Sequence, residues 1–237
     1  MITEEQISNW AVQYQTNDNN ILREYFQHLF LSYFYQQPQA NGVYFKGGTA
    51  LRFIHKSPRF SEDLDFSANL SKEEIENVIT ATLSDIEREG ILVNLQEAKT
   101  TSGGYLAIML FQKDPSVAIQ IEISLRDGDK KGESTIIKND FIPYYTIIAL
   151  TQDQLIDQKI EALLTRNKPR DFYDVYFILR ANLLSSKKKD ILPQVLKALS
   201  QTKINFEVDL KQFLPRSHWA IIRDFRNTLE REIDRFI

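Results

Sequence analysis

The sequence predicts an α/β fold (α+β in the way its strands gather in one region) that gives way near residue 150 to helices alone. Three observations predict it. Helical and alternating patterns interleave over the first part of the chain. Three strand-like runs follow one another between residues 91 and 126, separated only by turn residues. From Thr151 onward the apolar residues recur only at helical spacing. The expected division is therefore residues 1–150 and residues 151–237.

Each element has a local reason. Residues 4–16 read as a short helix. A stronger one follows in "NNILREYFQHLFLSYFYQ", where Ile21, Leu22, Tyr25, Phe26, Leu29, Phe30 and Tyr33 share a face. Pro38 and Asn41-Gly42 break the chain. "VYFKGGTAL" reads as a short strand, a glycine turn and a helix that runs to about His55 and ends before Pro58. "FSEDLDFS" alternates as a strand does. In "SKEEIENVITATLSDIEREG", Ser71 suits the N-cap, Glu74 completes a capping box and Gly90 suits the C-terminal end. "ILVNLQEA", "GYLAIMLFQ" and "VAIQIEISLR" are the three strand-like runs, with turns at "TSGG" and "KDPS". In the helical segment, Pro169 stands at a first helical position ahead of "RDFYDVYFILR".

Composition narrows the class. A chain of 237 residues with 43% hydrophobic and 26% charged residues has the make-up of a globular protein rather than a disordered one. Its net charge of −3 supplies no global attraction for nucleic acid, so any such contact needs a local patch. "RDGDKK" (126–131), "RNKPR" (166–170) and "KKK" (187–189) are candidates, each with a solvated loop as the plain alternative. The absence of cysteine excludes disulfides and thiolate metal sites. The polar, acidic start is no signal peptide, and no stretch reaches the ~18 apolar residues of a membrane span. A cytoplasmic protein without membrane contact is expected.

Two stretches carry chemistry. On a strand through "FSEDLDFS", Phe60, Glu62, Leu64 and Phe66 share one face, and Ser61, Asp63, Asp65 and Ser67 share the other. Two carboxylates side by side repel unless a cation lies between them, and oxygen-only donors suit Mg²⁺ or Mn²⁺. Just upstream, Gly47 and Gly48 open a helix, where bare backbone and the positive helix end accommodate phosphates. Thr49 adds a hydroxyl and Lys46 a charge. An Asp-x-Asp alone is commonly a solvated edge, and a lone Gly-Gly commonly a turn; the pair joined by one helix is more specific. Glu122 lies on the polar face of the third strand-like run with Ala118, Gln120 and Ser124. It completes the acids if that strand pairs beside Asp65, and an exposed strand glutamate is the alternative.

The second stretch is "DQKIEALLTRNKPRDFYDVYFILR". Here charges interrupt a strongly apolar pattern. Arg170 and Asp174 are four apart and can pair along a helix. Asp171 in a first turn is explained by the helix dipole alone. One reading is an interface helix laced with ion pairs. The other places Lys159 on a triphosphate and lets Asp174 position a base, a sugar or a partner charge. His28, His55 and His218 lack metal-ligand spacing and read as structural or surface residues.

Taken together, "FKGGTALRFIHKSPRFSEDLDFS" and "DQKIEALLTRNKPRDFYDVYFIL" resemble the AbiEii/AbiGii toxin family of nucleotidyltransferases, over about residues 20–185. The resemblance implies a nucleotidyltransferase core with a mixed sheet, followed by a helical C-terminal domain. It implies toxins usually encoded beside an antitoxin, some of which add nucleotides to the 3′ end of tRNA. On that pattern, Gly47, Gly48 and Thr49 match the glycine motif. Ser61, Asp63 and Asp65 match the Ser-x-Asp-x-Asp metal motif, Glu122 falls at the third acid, and Lys159 and Asp174 match the later motifs.

The expected activity is Mg²⁺-dependent transfer of a nucleoside monophosphate from an NTP, with release of pyrophosphate, to an acceptor headed by the tRNA 3′ end. Asp63 and Asp65 would hold metal, with Glu122 as third ligand or base. Lys159 would neutralise the leaving pyrophosphate. A protein hydroxyl is the alternative acceptor. A non-catalytic nucleotide-sensing or partner-binding protein of the same fold is the rival from another class. A metal-dependent nuclease trails both, because it does not need the glycine turn.

Overall fold

The computed structural model describes residues 2–126 and 130–237, so the middle of the 126–131 basic stretch lies outside the described residues. The chain divides into two compact units, one of residues 1–56 with 60–150 and one of residues 57–59 with 151–237. Ten α-helices and seven strands are assigned among the described residues.

In the first unit, α1 (Glu4–Gln13) is capped by Thr3 and α2 (Asp18–Phe34) by Asn17. A 3₁₀ turn at Pro38–Gly42 then leads into β1 (Val43–Lys46), α3 (Gly47–His55) and β2 (Leu64–Ala68). Next comes α4 (Lys72–Arg88), with the expected Ser71–Glu74 capping box and Gly90 at positive φ beyond its end. Then follow β3 (Val93–Thr101), β4 (Gly104–Phe111), β5 (Val117–Ser124), β6 (Gly132–Ile137) and β7 (Tyr145–Leu150). The strands form one mixed sheet in the order β3-β4-β5-β2-β1-β7-β6. β2 runs parallel to β5, and β1 is antiparallel to β2 and parallel to β7.

One face of the sheet is core. Phe45, Phe66, Ile123 and Tyr105 are register partners across β1, β2, β5 and β4, and all four are buried. α2 lies over this face, bringing Phe34 to 5.4 Å from Phe66 and stacking Phe26 on Phe111 at 4.3 Å, between ring centroids. α3 packs against α2 through a buried Arg52–Glu24 ion pair of 2.6 Å and a His28–Phe53 stack at 3.8 Å. His28 is buried and meets the Tyr145 hydroxyl at 2.7 Å. Burial, reinforced by Arg52 and Lys56, keeps its imidazole well below the usual pKa, as befits a structural histidine.

Two expectations change. "FSEDLDFS" is strand only from Leu64; residues 61–63 approach β2 as irregular chain. The pair β6–β7, between residues 132 and 150, was not foreseen. β7 buries Ile147, Ala149 and Leu150 and so carries a nearly continuous apolar run, while β6 lies at the sheet edge and is mostly exposed.

The second unit holds α5 (Gln152–Arg166), α6 (Pro169–Arg180), α7 (Leu192–Gln201), α8 (Phe206–Leu210), α9 (Trp219–Arg223) and α10 (Phe225–Asp234). Its core is aromatic: Phe225 lies 4.7 Å from Phe206 and stacks on Tyr173 at 5.9 Å. The α5–α6 turn is tied by Arg166, whose guanidinium forks onto the fully buried Asp171 at 2.9 and 2.7 Å. Asp171 thus does more than complement a helix dipole.

Asp174 is the centre of this unit's electrostatics. Arg59 Nε and Nη2 donate to its two oxygens at 2.7 and 2.9 Å, and Lys159 Nζ donates at 2.7 Å. The expected Arg170–Asp174 pairing along the helix is therefore replaced: the carboxylate turns inward to two buried cations. Burial pushes the Asp174 pKa up, but Arg59 and Lys159 outweigh it and hold the group down at about 2. The contribution of this ion pair is complete above the unfolded pKa near 4 and is lost as pH falls towards 2. It amounts to roughly 2 kcal/mol at neutral pH. Arg59→Ala removes the two bonds of the fork but leaves Asp174 paired with Lys159, so it should destabilise the chain by about 1.5–3 kcal/mol. Thermal melts at pH 7 and pH 2.5 check both points; equal losses at the two pH values would refute the pairing.

Candidate active site

The glycine turn and the acidic pair are built by three adjacent strands. Lys46 pairs with Asp65 across β1–β2, and Asp65 pairs with Glu122 across β2–β5. Directly paired residues point to the same side of a sheet, so Lys46, Asp65 and Glu122 form one row on the face opposite the Phe45–Phe66 core. This is the pairing that Glu122 required. Asp63, which the alternation predicted on the same strand, sits one residue before β2 begins.

Gly47 binds the two motifs together. It has φ +82°, where a side chain is strained, and it faces Asp65. A Cβ at Gly47 would overlap Asp65 Oδ2 and lie 2.6 Å from its Cγ. Glycine is thus needed for the turn and for the close approach. The Asp65 carboxylate consequently lies at the N-terminal end of α3, where the helix dipole favours negative charge.

Thr49 behaves differently from the expectation. It is fully buried and its Oγ1 donates to the Asp63 carbonyl at 2.5 Å, so its proton is committed to the chain rather than offered to a phosphate. Gln27 Nε2 donates to the Ser61 and Glu62 carbonyls at 3.0 and 2.9 Å. Thr49 from α3 and Gln27 from α2 therefore hold the irregular 61–63 segment in place ahead of Asp65. Gln27 lies in the middle of an apolar helix pattern, and only its burial beside carbonyls separates it from a surface glutamine.

Glu122 is exposed and accepts from Gln120 Nε2 at 2.6 Å. Among the described residues no three His, Asp or Glu side chains stand close enough together to hold a metal ion. Mg²⁺ seldom needs such a cage: one or two carboxylates plus substrate phosphates suffice. The donor chemistry of Asp63 and Asp65 at a glycine-rich helix start fits that mode. Beside them, a cleft of ≈ 270 Å³ is lined by Lys46, Asp65, Glu122, Ser124, Gly103 and Arg126, among others.

Lys159 and Asp174 belong to the second unit, where they are brought together with Arg59 as described above. Arg59 was not singled out in the sequence; its place just after Pro58 suggested only a loop. The later basic runs are largely engaged. Lys188 pairs with Asp157 at 2.7 Å, Lys189 stands over the Phe236 ring, and Arg166 is taken by Asp171.

A family model described as nucleotidyl transferase AbiEii toxin, type IV toxin–antitoxin system, matches residues 29–235. The chain belongs to this family. It is a nucleotidyltransferase of the toxin class, and the matched span includes the glycine turn, all three acids and Lys159. The AbiEii assignment agrees with the fold. JHP933 from Helicobacter pylori superposes with a TM-score of 0.68 at 19% identity, covering 93% of each chain. MenT4, a nucleotidyltransferase toxin from Mycobacterium tuberculosis, gives 0.63 at 17% identity, covering 100% of this chain and 93% of that one. A comparison with curated protein sequences finds no match. No helix among the described residues is long and apolar enough to cross a membrane.

Because Gly47 touches Asp65, Gly47→Ala should weaken NTP binding in the presence of Mg²⁺ at least tenfold. The positive φ alone should cost about 1–2 kcal/mol of stability. Calorimetric titration of folded Gly47→Ala with each Mg·NTP checks this; unchanged affinity would detach the glycine turn from nucleotide binding.

Proposed function

We propose that this AbiEii-family protein transfers a nucleoside monophosphate from an NTP to the 3′ hydroxyl of an RNA acceptor, with tRNA first among candidates, in a Mg²⁺-dependent reaction. The observation that carries the reading is the row Lys46–Asp65–Glu122 beside the Gly47 turn. Asp63 and Asp65 would hold the divalent ion, Mg²⁺ or Mn²⁺, which when bound stabilises the charge of the triphosphate and of the displacement. The backbone of Gly47 and Gly48 at the start of α3 receives phosphate oxygens, and Lys46 adds positive charge beside them.

Glu122 is the group best suited to the acceptor. It is exposed, and it stands next to Asp65 on the row rather than in a three-acid cage. In the displacement the acceptor oxygen bonds to the α-phosphorus, its proton passes to Glu122, and the bond from that phosphorus to the pyrophosphate oxygen breaks. The family resemblance assigns Lys159 to the leaving pyrophosphate; in the structure it is buried in the second unit and donates to Asp174. There it shares Asp174 with Arg59, which is also stabilised by the charge of Asp171. The first unit serves as nucleotidyltransferase core and the second as helical domain, with an antitoxin as the regulatory partner that the family implies. Cytoplasmic action follows from the RNA acceptor.

The deciding experiment incubates the protein with Mg²⁺, total tRNA and each labelled NTP in turn, with Asp63→Ala alongside. Label should enter tRNA with a preferred NTP, and transfer should fall at least 10³-fold in the variant while its circular dichroism is unchanged. Full activity in Asp63→Ala would sink the metal assignment. Binding of NTP with no transfer to any RNA would instead favour the protein-modifying or sensing alternatives.

A further inference from the structure

The cleft beside Asp65 has a cationic end that the reaction so far does not use. Glu122, Ser124 and Arg126 alternate along β5 and its continuation, since the Leu125 N–H donates to the Gly103 carbonyl at 2.9 Å and carries the ladder past the strand. Arg126 therefore continues the face of Asp65 and Glu122, with its Cα about 13 Å beyond that of Glu122 at strand rise. Its side chain lies directly over Gly103. A Cβ on Gly103 would overlap the Arg126 guanidinium at Nε and lie 2.4 Å or less from its neighbours, so the glycine is a bed for this side chain. Gly104, the register partner of Ser124, leaves the floor equally bare.

The position of the cleft relative to Asp65 assigns it a role. Gly47 abuts Asp65 but, like Gly48, does not line the cleft; Lys46 lines it only at the end next to Asp65, its register partner, away from Arg126 on the other strand. In an in-line displacement, the attacking and leaving oxygens stand on opposite sides of the phosphorus. With the triphosphate on the glycine-turn side, the attacker comes from the cleft side. The cleft offers a carboxylate at one end for a hydroxyl. At the other it offers a guanidinium, with the hydroxyls of Thr101 and Ser124 nearby. A guanidinium fork matches a phosphate in two parallel hydrogen bonds, and Ser and Thr hydroxyls also serve phosphate oxygens. A hydroxyl and an anion at fixed separation describe the end of an oligonucleotide. A protein side-chain hydroxyl brings no such anion.

Resting on the transferase reading above, we propose that Arg126, bedded on Gly103, binds the last phosphodiester of an RNA acceptor and thereby positions its 3′ hydroxyl at Glu122. Arg126 is a positioning residue for the acceptor and does not bind the NTP.

The test uses the full-length protein, its preferred NTP and two short RNAs. The second RNA carries an uncharged methylphosphonate in place of its last phosphodiester. Arg126→Ala should raise the KM for the ordinary RNA at least tenfold, with kcat changed less than threefold and the affinity for Mg·NTP within twofold. The uncharged linkage should cost the wild type a similar factor and the variant almost nothing more. Gly103→Ala, which displaces the guanidinium without removing its charge, should reproduce the rise in KM. Additive losses from the variant and the neutral linkage would overturn the proposal, as would weaker NTP binding in Arg126→Ala. If the wild type labels no RNA at all, the transferase reading itself fails and the proposal falls with it. Normal wild-type transfer with unaffected Arg126 variants would refute only the proposal.

Discussion

The first unit is organised around the contact between Gly47 and the Asp65 carboxylate. It requires β1 and β2 to be neighbours, a turn at positive φ at the end of β1, and a helix that starts immediately after it. Each requirement places another group. The helix start presents its N–H groups beside a carboxylate, so one spot favours both an anion and, through the acids, a cation. The third residue of that helix, Thr49, reaches back to hold the Asp63 carbonyl. Parallel pairing of β2 with β5 then brings Glu122 alongside. The row of Lys46, Asp65 and Glu122 follows from strand order and register, while Asp63 comes from the irregular segment ahead of β2.

The second unit uses the opposite electrostatic device. Removing an arginine, a lysine and an aspartate from water together is expensive, and their mutual attraction offsets this only with good geometry. The fork of Arg59 on Asp174 and the single contact from Lys159 provide that geometry, at distances typical of charge-assisted bonds. The buried Asp171 adds a second negative charge that acts on Arg59, so the cations are not left uncompensated. Arg59 comes from the short stretch between the glycine turn and the acidic pair, yet it belongs to the helical unit. The same few residues of sequence therefore encode groups of both units.

What could be read from the sequence follows the range of the interactions involved. Helices with caps and periodic faces, such as α4 with Ser71 and Glu74, were legible because their determinants lie within four residues of one another. The alternation of β5 showed which face Glu122 would take, and the structure places Val117, Ile119, Ile121 and Ile123 in the core opposite it. The strand that the acids were to share was overextended. Residues 61–63 are held by Gln27 and Thr49, which are distant in sequence, so no local pattern reports their irregularity. β6 and β7 escaped for a related reason: an exposed edge strand looks polar, and a buried parallel strand looks like any short apolar run. Arg59 and Arg126 were invisible as individuals, because an arginine's role lies in the carboxylate or glycine it meets across the fold.

The arrangement of charge also bears on how the site is assembled. The chain as a whole is slightly acidic, so long-range attraction cannot gather a polyanionic substrate. On the proposed reading short-range groups do this: a bare helix start against Asp65, and Lys46 and Arg126 in the cleft beside it. The acids do not close into a metal cage among the described residues. A divalent ion held by two carboxylates gains its remaining oxygens from the nucleotide, so ion and triphosphate stabilise each other's binding. On the proposed reading that event also relieves the repulsion between Asp65 and Glu122, because the ion would offset the first carboxylate. In the proposed displacement a proton accepted from the attacking hydroxyl would offset the second. Before any substrate binds, Asp65 has Lys46 and the start of α3 beside it and Glu122 accepts from Gln120 while facing solvent, so two acids side by side on one sheet row are compatible with a stable fold.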